Sequence, residues 1–300
     1  DEVRIYDRGI SLQEVQQIHQ GDFVNEGYVE FLAIEKPTVI TRRPTNVLPT
    51  QSTMEVEVLS IGGNVIESTE TRDLSFRSDS IDGLQVWFSA QDIGSSLPNG
   101  EVITNWVDLS GNGRDLVYTS GNPRFFNSAL KGKPVINFDG DDLIWTEHDF
   151  DHLVDTGYSI ISVSRYTGSR NGRVVTSRTN NFLFGFHGGN NERFNAEGWI
   201  HQGGSFDTNW HMHLGVIDKK NNPSASFWKN GKTIVENSKG SHNTNFGPGK
   251  LQLGGWTNAG GNNEQFSACE VAEVMIFDRQ LTVTERNKIE GYVAHKWNLA

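Results

Sequence analysis

EVMIFDRQLTVTERNKI, residues 273–289, decides the fold, because the chain has already written it once as EVRIYDRGISLQEVQQI, residues 2–18. At one constant offset, Glu2, Val3, Ile5, Asp7, Arg8, Glu14 and Ile18 match Glu273, Val274, Ile276, Asp278, Arg279, Glu285 and Ile289. Tyr6 against Phe277, Ile10 against Leu281 and Ser11 against Thr282 are conservative exchanges. Each copy carries the same local instructions. Alternation at Val3/Ile5 and Val274/Ile276 predicts a strand with one buried face. Asp-Arg breaks the alternation. Ser11-x-x-Glu14 and Thr282-x-x-Glu285 then predict capping boxes, where hydroxyl and carboxylate satisfy the orphan amides of a helix start. In the second copy Ile289, Tyr292, Val293 and Trp297 form the apolar stripe of a terminal helix. That copy closes a long domain. The first copy is expected to be the tail of another such domain, or a segment that borrows its body from a neighbouring copy.

Composition narrows the class. Thirty-two glycines, 17 phenylalanines and 8 tryptophans in 300 residues, with few helical patterns, predict a β-rich chain with many turns and a sizeable core. A formal charge of −11 with no basic stripe excludes nucleic acid as an expected partner. No long apolar run offers a membrane-inserting segment. No signal-peptide pattern is present, and a chain opening on Asp1 reads as a mature product or an excised piece. Cys269 is the one cysteine, so no internal disulfide can form, and its alternating apolar strand predicts a buried, inert thiol.

Residues 23–77 differ in character from residues 78–300. Pro37, Pro44 and Pro49 punctuate them, and Met54, Val56 and Val58 alternate with Glu55 and Glu57 before Gly62-Gly63 turns the chain into Val65 and Ile66. This predicts a hairpin in a small β spacer that resembles the opening strands of a fibronectin-III module. From 78 to 300 the texture is uniform. Leu84–Phe88, Val135–Phe138, Tyr158–Ser164, Arg173–Thr176, Trp210–Ile217, Ala225–Lys229, Leu251–Leu253 and Val271–Phe277 read as strands, and Asn230-Gly231 is the strongest hairpin signal. The expected fold is an all-β, two-sheet antiparallel jelly-roll sandwich with a short C-terminal helix.

WVDLSGNGRDL (106–116), GKPVINFDGDDLI (132–144), the Trp210-His211-Met212-His213-Leu214 strand, the Trp228–Lys232 hairpin and the closing AEVMIFDRQLT occur in the order of the bacterial laminin-G-like, concanavalin-A-like jelly-roll family, which residues 78–300 resemble. The resemblance implies an extracellular or cell-surface domain within a tandem protein. On that reading, residues 1–22 are the tail fragment of a preceding domain of the same kind. It also implies calcium near the two acidic loops.

Several constellations are candidates for function. Asp108 and Asn112 in one glycine-rich loop, with Ser110, and Asp139 and Asp141 in another, with Asp142, offer the hard oxygens that calcium takes in sets of six to eight. The alternative is that these side chains stabilise tight turns. His211 and His213 share one strand face, as a metal pair or a catalytic base would, or as packed structural residues do. No Glu-x-Asp-x-Glu strand occurs between 78 and 300, so the two-carboxylate route to glycan hydrolysis lacks its usual sequence support and the chain is expected not to be an enzyme. Trp87, Trp106 and Trp228 sit in apolar strands and read as core. Trp199 and Trp256 lie among polar residues, as do the loops with His187 and Asn190 and with Asn258 and Asn262. Exposed indoles stack on sugar faces while amides and imidazoles orient hydroxyls, so these six are the candidate carbohydrate-binding residues. The expected function is a non-catalytic module for glycan or polysaccharide recognition or adhesion. The alternative is a structural repeat of a filament or giant surface protein, in which Val3, Ile5, Tyr6, Ile10 and Ile18 assemble residues 1–22 onto a neighbouring copy.

Overall fold

The computed structural model describes residues 80–93, 97–196, 198–219, 224–241, 247–257 and 265–299, together with the backbone of residues 54–59 and 65–70. Backbone contacts divide the chain into two units, Asp1–Phe76 and Arg77–Ala300. In the first, strands Met54–Leu59 and Val65–Glu70 pair antiparallel, with Met54 opposite Glu70 and Leu59 opposite Val65, as the alternation predicts. Val3, Ile5, Tyr6, Ile10 and Ile18 lie outside the described residues.

The described strands of the second unit form two antiparallel sheets of nine and seven strands, the expected all-β sandwich. The long strand Ser267–Phe277 is central to the larger sheet. One of its edges pairs with Tyr158–Asn171, and the other is shared between Lys133–Asp139 and Leu84–Ser89. Beyond Tyr158–Asn171 come His211–Ile217, Ala225–Lys229 and Lys232–Ser238. Asn230 and Gly231 turn the last hairpin at φ 52° and 73°, the left-handed region that an Asn-Gly turn supplies at low cost. The smaller sheet runs Trp199–Gly203, Asn190–Asn195, Leu183–His187, Val175–Ser177, Lys250–Leu253, Leu143–Asp149, Tyr118–Ser120.

Aromatic rings fill the space between the sheets. Phe227 of the larger sheet lies 5.6 Å from Phe184 and 5.5 Å from Phe194 of the smaller, centroid to centroid. A Cβ on Gly215 would come within 2.8 Å of Phe184, so glycine lets the sheets close around these rings. Trp87, Trp106, Trp228 and Trp297 are buried, as is Cys269, whose thiol burial holds well above its ordinary range.

The helix Val283–Trp297 begins with both halves of the Thr282–Glu285 capping box and ends on Asn298 at φ 52°. It buries Ile289, Val293 and Trp297. Arg279 grips Glu285 through two bonds of 2.9 and 2.7 Å, and Gln85 donates to Asp278 at 2.7 Å. At the far end the fully buried Glu273 accepts from the Trp297 indole and, at 2.9 Å, from the Lys296 ammonium. The polar residues that the repeat preserves in its second copy are thus the ones that fasten this helix to the sheet.

One reading of the sequence is corrected. HGGNNERFN (187–195) looks like a long polar loop. It is a two-residue turn at Gly188-Gly189, φ 58° and 80°, between the strands Leu183–His187 and Asn190–Asn195, with His187 opposite Asn190. Its polar residues mark a strand with a wet face. Among the described residues, no helix is long and apolar enough to cross a membrane.

Candidate functional site

The smaller sheet carries a row of side chains from edge to edge. Tyr118 stands opposite Trp145, Trp145 opposite Gln252 and Gln252 opposite Thr176. Thr176 then faces Leu183, Leu183 faces Asn195 and Asn195 faces Trp199. Directly opposed residues share a face of the sheet, so the row is continuous in register over about 30 Å at roughly 4.8 Å per strand. Gln252, Thr176, Leu183 and Asn195 in its middle are buried, and only its ends reach solvent. Tyr118 and Trp145 stack at one end, rings 5.8 Å apart at 18°. At the other end Trp199 lies 5.8 Å from the His187 ring and 5.7 Å from the Arg193 guanidinium.

Two arginines lie over the middle of the row. Arg178 sits 4.2 Å from the Trp145 ring centre and donates to Gln252 at 3.3 Å and to Thr257 at 3.4 Å. Arg173 sits 4.3 Å from the Trp256 ring centre and donates to Thr176 at 3.4 Å, to Asn181 at 2.6 Å and to Gln265 at 2.8 Å. Each guanidinium therefore stacks on an indole while its N–H groups bind side-chain oxygens. Burial brings the Arg173 pKa down to about 10, which leaves it charged at neutral pH.

Beside the Trp199 end opens a cleft of about 400 Å³, lined by Arg170, Asn171, Gly172, His187, Gly188, Gln265 and Phe266. The Gln265 carbonyl oxygen is 3.1 Å from His187 Nε2 and also accepts from Arg173. Burial, then the Arg173 charge, lower the His187 pKa from its ordinary value.

Arg170 also donates to the Gly140 carbonyl, within the loop of Asp139, Asp141 and Asp142. The ligand atoms of these three carboxylates lie within 4.8 Å of one another, close enough to hold a metal ion. Asp142 is buried and holds the loop shut, accepting the Asp139 amide at 3.0 Å and the Asn122 amide. The neighbouring Asp139 carboxyl raises the Asp141 pKa, and burial raises that of Asp142.

The structure thus brings His187, Trp199 and Trp256 to one end of the sheet. Asn190 closes the turn there, donating to the Gly188 carbonyl at 3.1 Å. Asn258 and Asn262 lie outside the described residues. Asp139 and Asp141 come together, but Asp108 is not in their group. Its carboxylate is spent on the amides of Trp87, Ser110 and Arg114 at 3.0, 2.9 and 3.1 Å. Asn112 donates to the carbonyls of Leu84 and Gln85, which ties that loop to its neighbouring strand. His213 is buried and lies 2.8 Å from the Asn191 carbonyl, while His211 is 2.9 Å from Asp207. Sequence reasoning missed Tyr118, Trp145, Arg173, Arg178 and Gln265. The available signal was three arginines in RNGRVVTSR (170–178) of an acidic chain, and Trp145 alternating with Leu143 and Glu147.

No protein-family model matches the chain, and comparison with curated proteins finds no match. Solved structures do share its fold. Trypanosoma rangeli sialidase with 2,3-difluorosialic acid, a covalent intermediate, aligns at TM-score 0.50 and 11% identity over 81% of this chain and 43% of the sialidase. Domain 4 of AbnA, an extracellular GH43 arabinanase from Geobacillus stearothermophilus, in complex with arabinotriose, aligns at TM-score 0.44 and 12% identity over 69% of this chain and 98% of that one. The binding domain of botulinum neurotoxin DC in complex with SialylT aligns at TM-score 0.47 and 13% identity over 72% and 52% of the two chains. The chain spans less than half the length of the sialidase, and at these identities the likeness is one of fold.

The sialidase alignment overturns the expectation that the chain is not an enzyme. That expectation rested on a missing Glu-x-Asp-x-Glu strand, which removes one arrangement of carboxylates and no others. The same architecture occurs within a sialidase chain.

Proposed function

We propose that the two ends of this row that reach solvent, Tyr118 with Trp145 and Trp199 with the cleft beside it, are carbohydrate-recognition surfaces. The observation that carries this reading is the pairing of an indole with a guanidinium at each end of one sheet face, Trp145 with Arg178 and Trp199 with Arg193. Trp145 and Trp199 supply flat apolar surface for sugar rings, and Arg178, Gln265 and His187 supply directional partners for hydroxyls. The motifs of residues 106–116 and 132–144 support membership of the laminin-G-like group. That membership carries with it an extracellular or cell-surface setting, a role in adhesion, and calcium at Asp139, Asp141 and Asp142.

The test is a glycan array probed with the full chain, then calorimetry on the best ligand. Trp145→Ala and Trp199→Ala should each weaken binding about threefold to tenfold, the value of one aromatic contact. An array without a ligand, or two variants that bind as the parent does, would overturn the reading.

A second reading is favoured by the fastening residues themselves. Asp278, Arg279, Glu285 and Glu273 each hold the closing helix or its strand, and the copy at residues 2–18 retains all four types. Residues 1–22 would seat on a neighbouring copy in the same manner. Deleting them should then abolish self-association in light scattering, and an unchanged size distribution would remove this reading.

A further inference from the structure

The cleft beside His187 has an electrostatic character that the chain as a whole lacks. The protein is acidic, with a formal charge of −11, yet among the described residues no carboxylate lines this cleft. Arg170 is on its wall, beside the loop whose Asp141 carboxyl lies in its field. Arg173 lies directly behind Gln265, is only 4% exposed, and donates to four neutral oxygens, those of Gln265, Asn181, Thr176 and Phe182. Arg193 donates to the Gln202 carbonyl at 2.6 Å, and its buried Nε has no partner among the described residues. Neither Arg173 nor Arg193 forms an ion pair among the described residues, although Arg165, Lys229, Lys250, Arg279 and Lys296 each do. A buried guanidinium without a counter-charge is costly to maintain, and proteins otherwise pair such groups.

Gln265 passes this charge to the cleft as a directed donor. Its carbonyl oxygen accepts from Arg173 Nε at 2.8 Å and lies 3.1 Å from His187 Nε2. A flipped amide would set its NH₂ against the guanidinium, so Arg173 fixes the orientation. The Gln265 NH₂ remains as a donor on a residue of the cleft wall, and His187 sits in the field of Arg173 and Arg193.

We infer that this cleft receives the anionic group of an acidic glycan, a carboxylate or a sulfate, with Gln265 and Arg170 as its donors and Arg173 as the positioning residue behind them. The inference rests on the carbohydrate reading above and names its substrate class. Charge-assisted hydrogen bonds of this kind are shorter and stronger than neutral ones, and added salt weakens them where they are exposed.

The experiment compares three probes on the full chain by calorimetry: a tetragalacturonate, a carrageenan-derived tetrasaccharide that is sulfated but has no carboxylate, and the neutral cellotetraose. An acidic probe should bind about 10- to 100-fold more tightly than the neutral one, with an advantage that shrinks as salt rises. Which acidic probe wins separates carboxylate from sulfate. Gln265→Glu keeps the size of the side chain, gives Arg173 a counter-ion and places a negative charge on the cleft wall. It should lose about tenfold or more in affinity for the acidic probe while melting no lower than the parent. Should that variant misfold, the exposed Arg170→Gln should show the same selective loss. Equal binding of acidic and neutral probes, or unchanged acidic binding in these variants, overturns the inference. If Trp145→Ala and Trp199→Ala still weaken neutral binding in that case, the carbohydrate reading stands without it. A chain that binds no glycan at all overturns both.

Discussion

The Trp87 indole donates to the Glu273 carboxylate at 2.6 Å, a bond that joins the first strand of the sandwich to the strand preceding the last helix. Glu273 is fully buried, and Trp297 and Lys296 of the helix complete its set of donors. Truncating one member of such a network leaves the rest buried and unsatisfied. Glu273→Gln retains the volume but strips Lys296 of its buried counter-ion. Denaturant unfolding should show a loss of about 2–4 kcal/mol. A variant as stable as the parent would mean that water, rather than Glu273, satisfies these donors.

His213 sets an acid limit on stability. Burial first, then the neighbouring His211, pull its pKa from 6.5 down to about 3, with the Lys229 charge acting in the same direction and the Asn191 carbonyl against it. A folded-state pKa below the unfolded one means that the unfolded chain takes up the proton first. The contribution is therefore complete above about pH 6.5 and is lost as pH falls toward 3, at about 1.4 kcal/mol per pH unit. His213→Phe, which preserves the stack on Phe227, should flatten that part of the curve relative to the parent. Urea midpoints measured across this window give the comparison, and parallel curves would contradict it.

Calcium should act through the acidic loop. The folded-state pKa values of Asp141 and Asp142 are raised, so their ionised forms are disfavoured in the folded chain at neutral pH and the penalty fades in acid. A cation at Asp139, Asp141 and Asp142 offsets that penalty, and a ligand selective for the native state stabilises by mass action. Added calcium should raise the melting temperature at neutral pH, less so in mild acid, and not at all in an Asp139→Asn/Asp141→Asn double variant. A melting temperature indifferent to calcium at neutral pH would dismiss the site.

Local elements of this fold were legible in the sequence. The Thr282–Glu285 capping box, the Asn230-Gly231 turn and the buried stripe of Ile289, Val293 and Trp297 depend on residues within a few positions of one another. The row from Tyr118 to Trp199 does not. It is assembled by register from seven separate segments, and a single sequence holds no signal that sets Trp145 opposite Gln252. For the same reason Asp108 and Asp139 look alike in their two glycine-rich loops, yet one carboxylate is consumed by backbone amides and the other joins a cluster. Polarity misled at residues 187–195, where a wet sheet face resembled a loop.

The placement of Ser267–Phe277 also governs how the protein comes into being. A ribosome delivers this strand after Tyr158–Asn171, Lys133–Asp139 and Leu84–Ser89, and all three wait for it to cover their edges. The nascent chain must therefore hold several open strand edges until residues 267–277 have emerged. Closure then occurs in one late step between segments far apart in sequence, which makes folding slow and a chain stalled before residue 267 prone to aggregation.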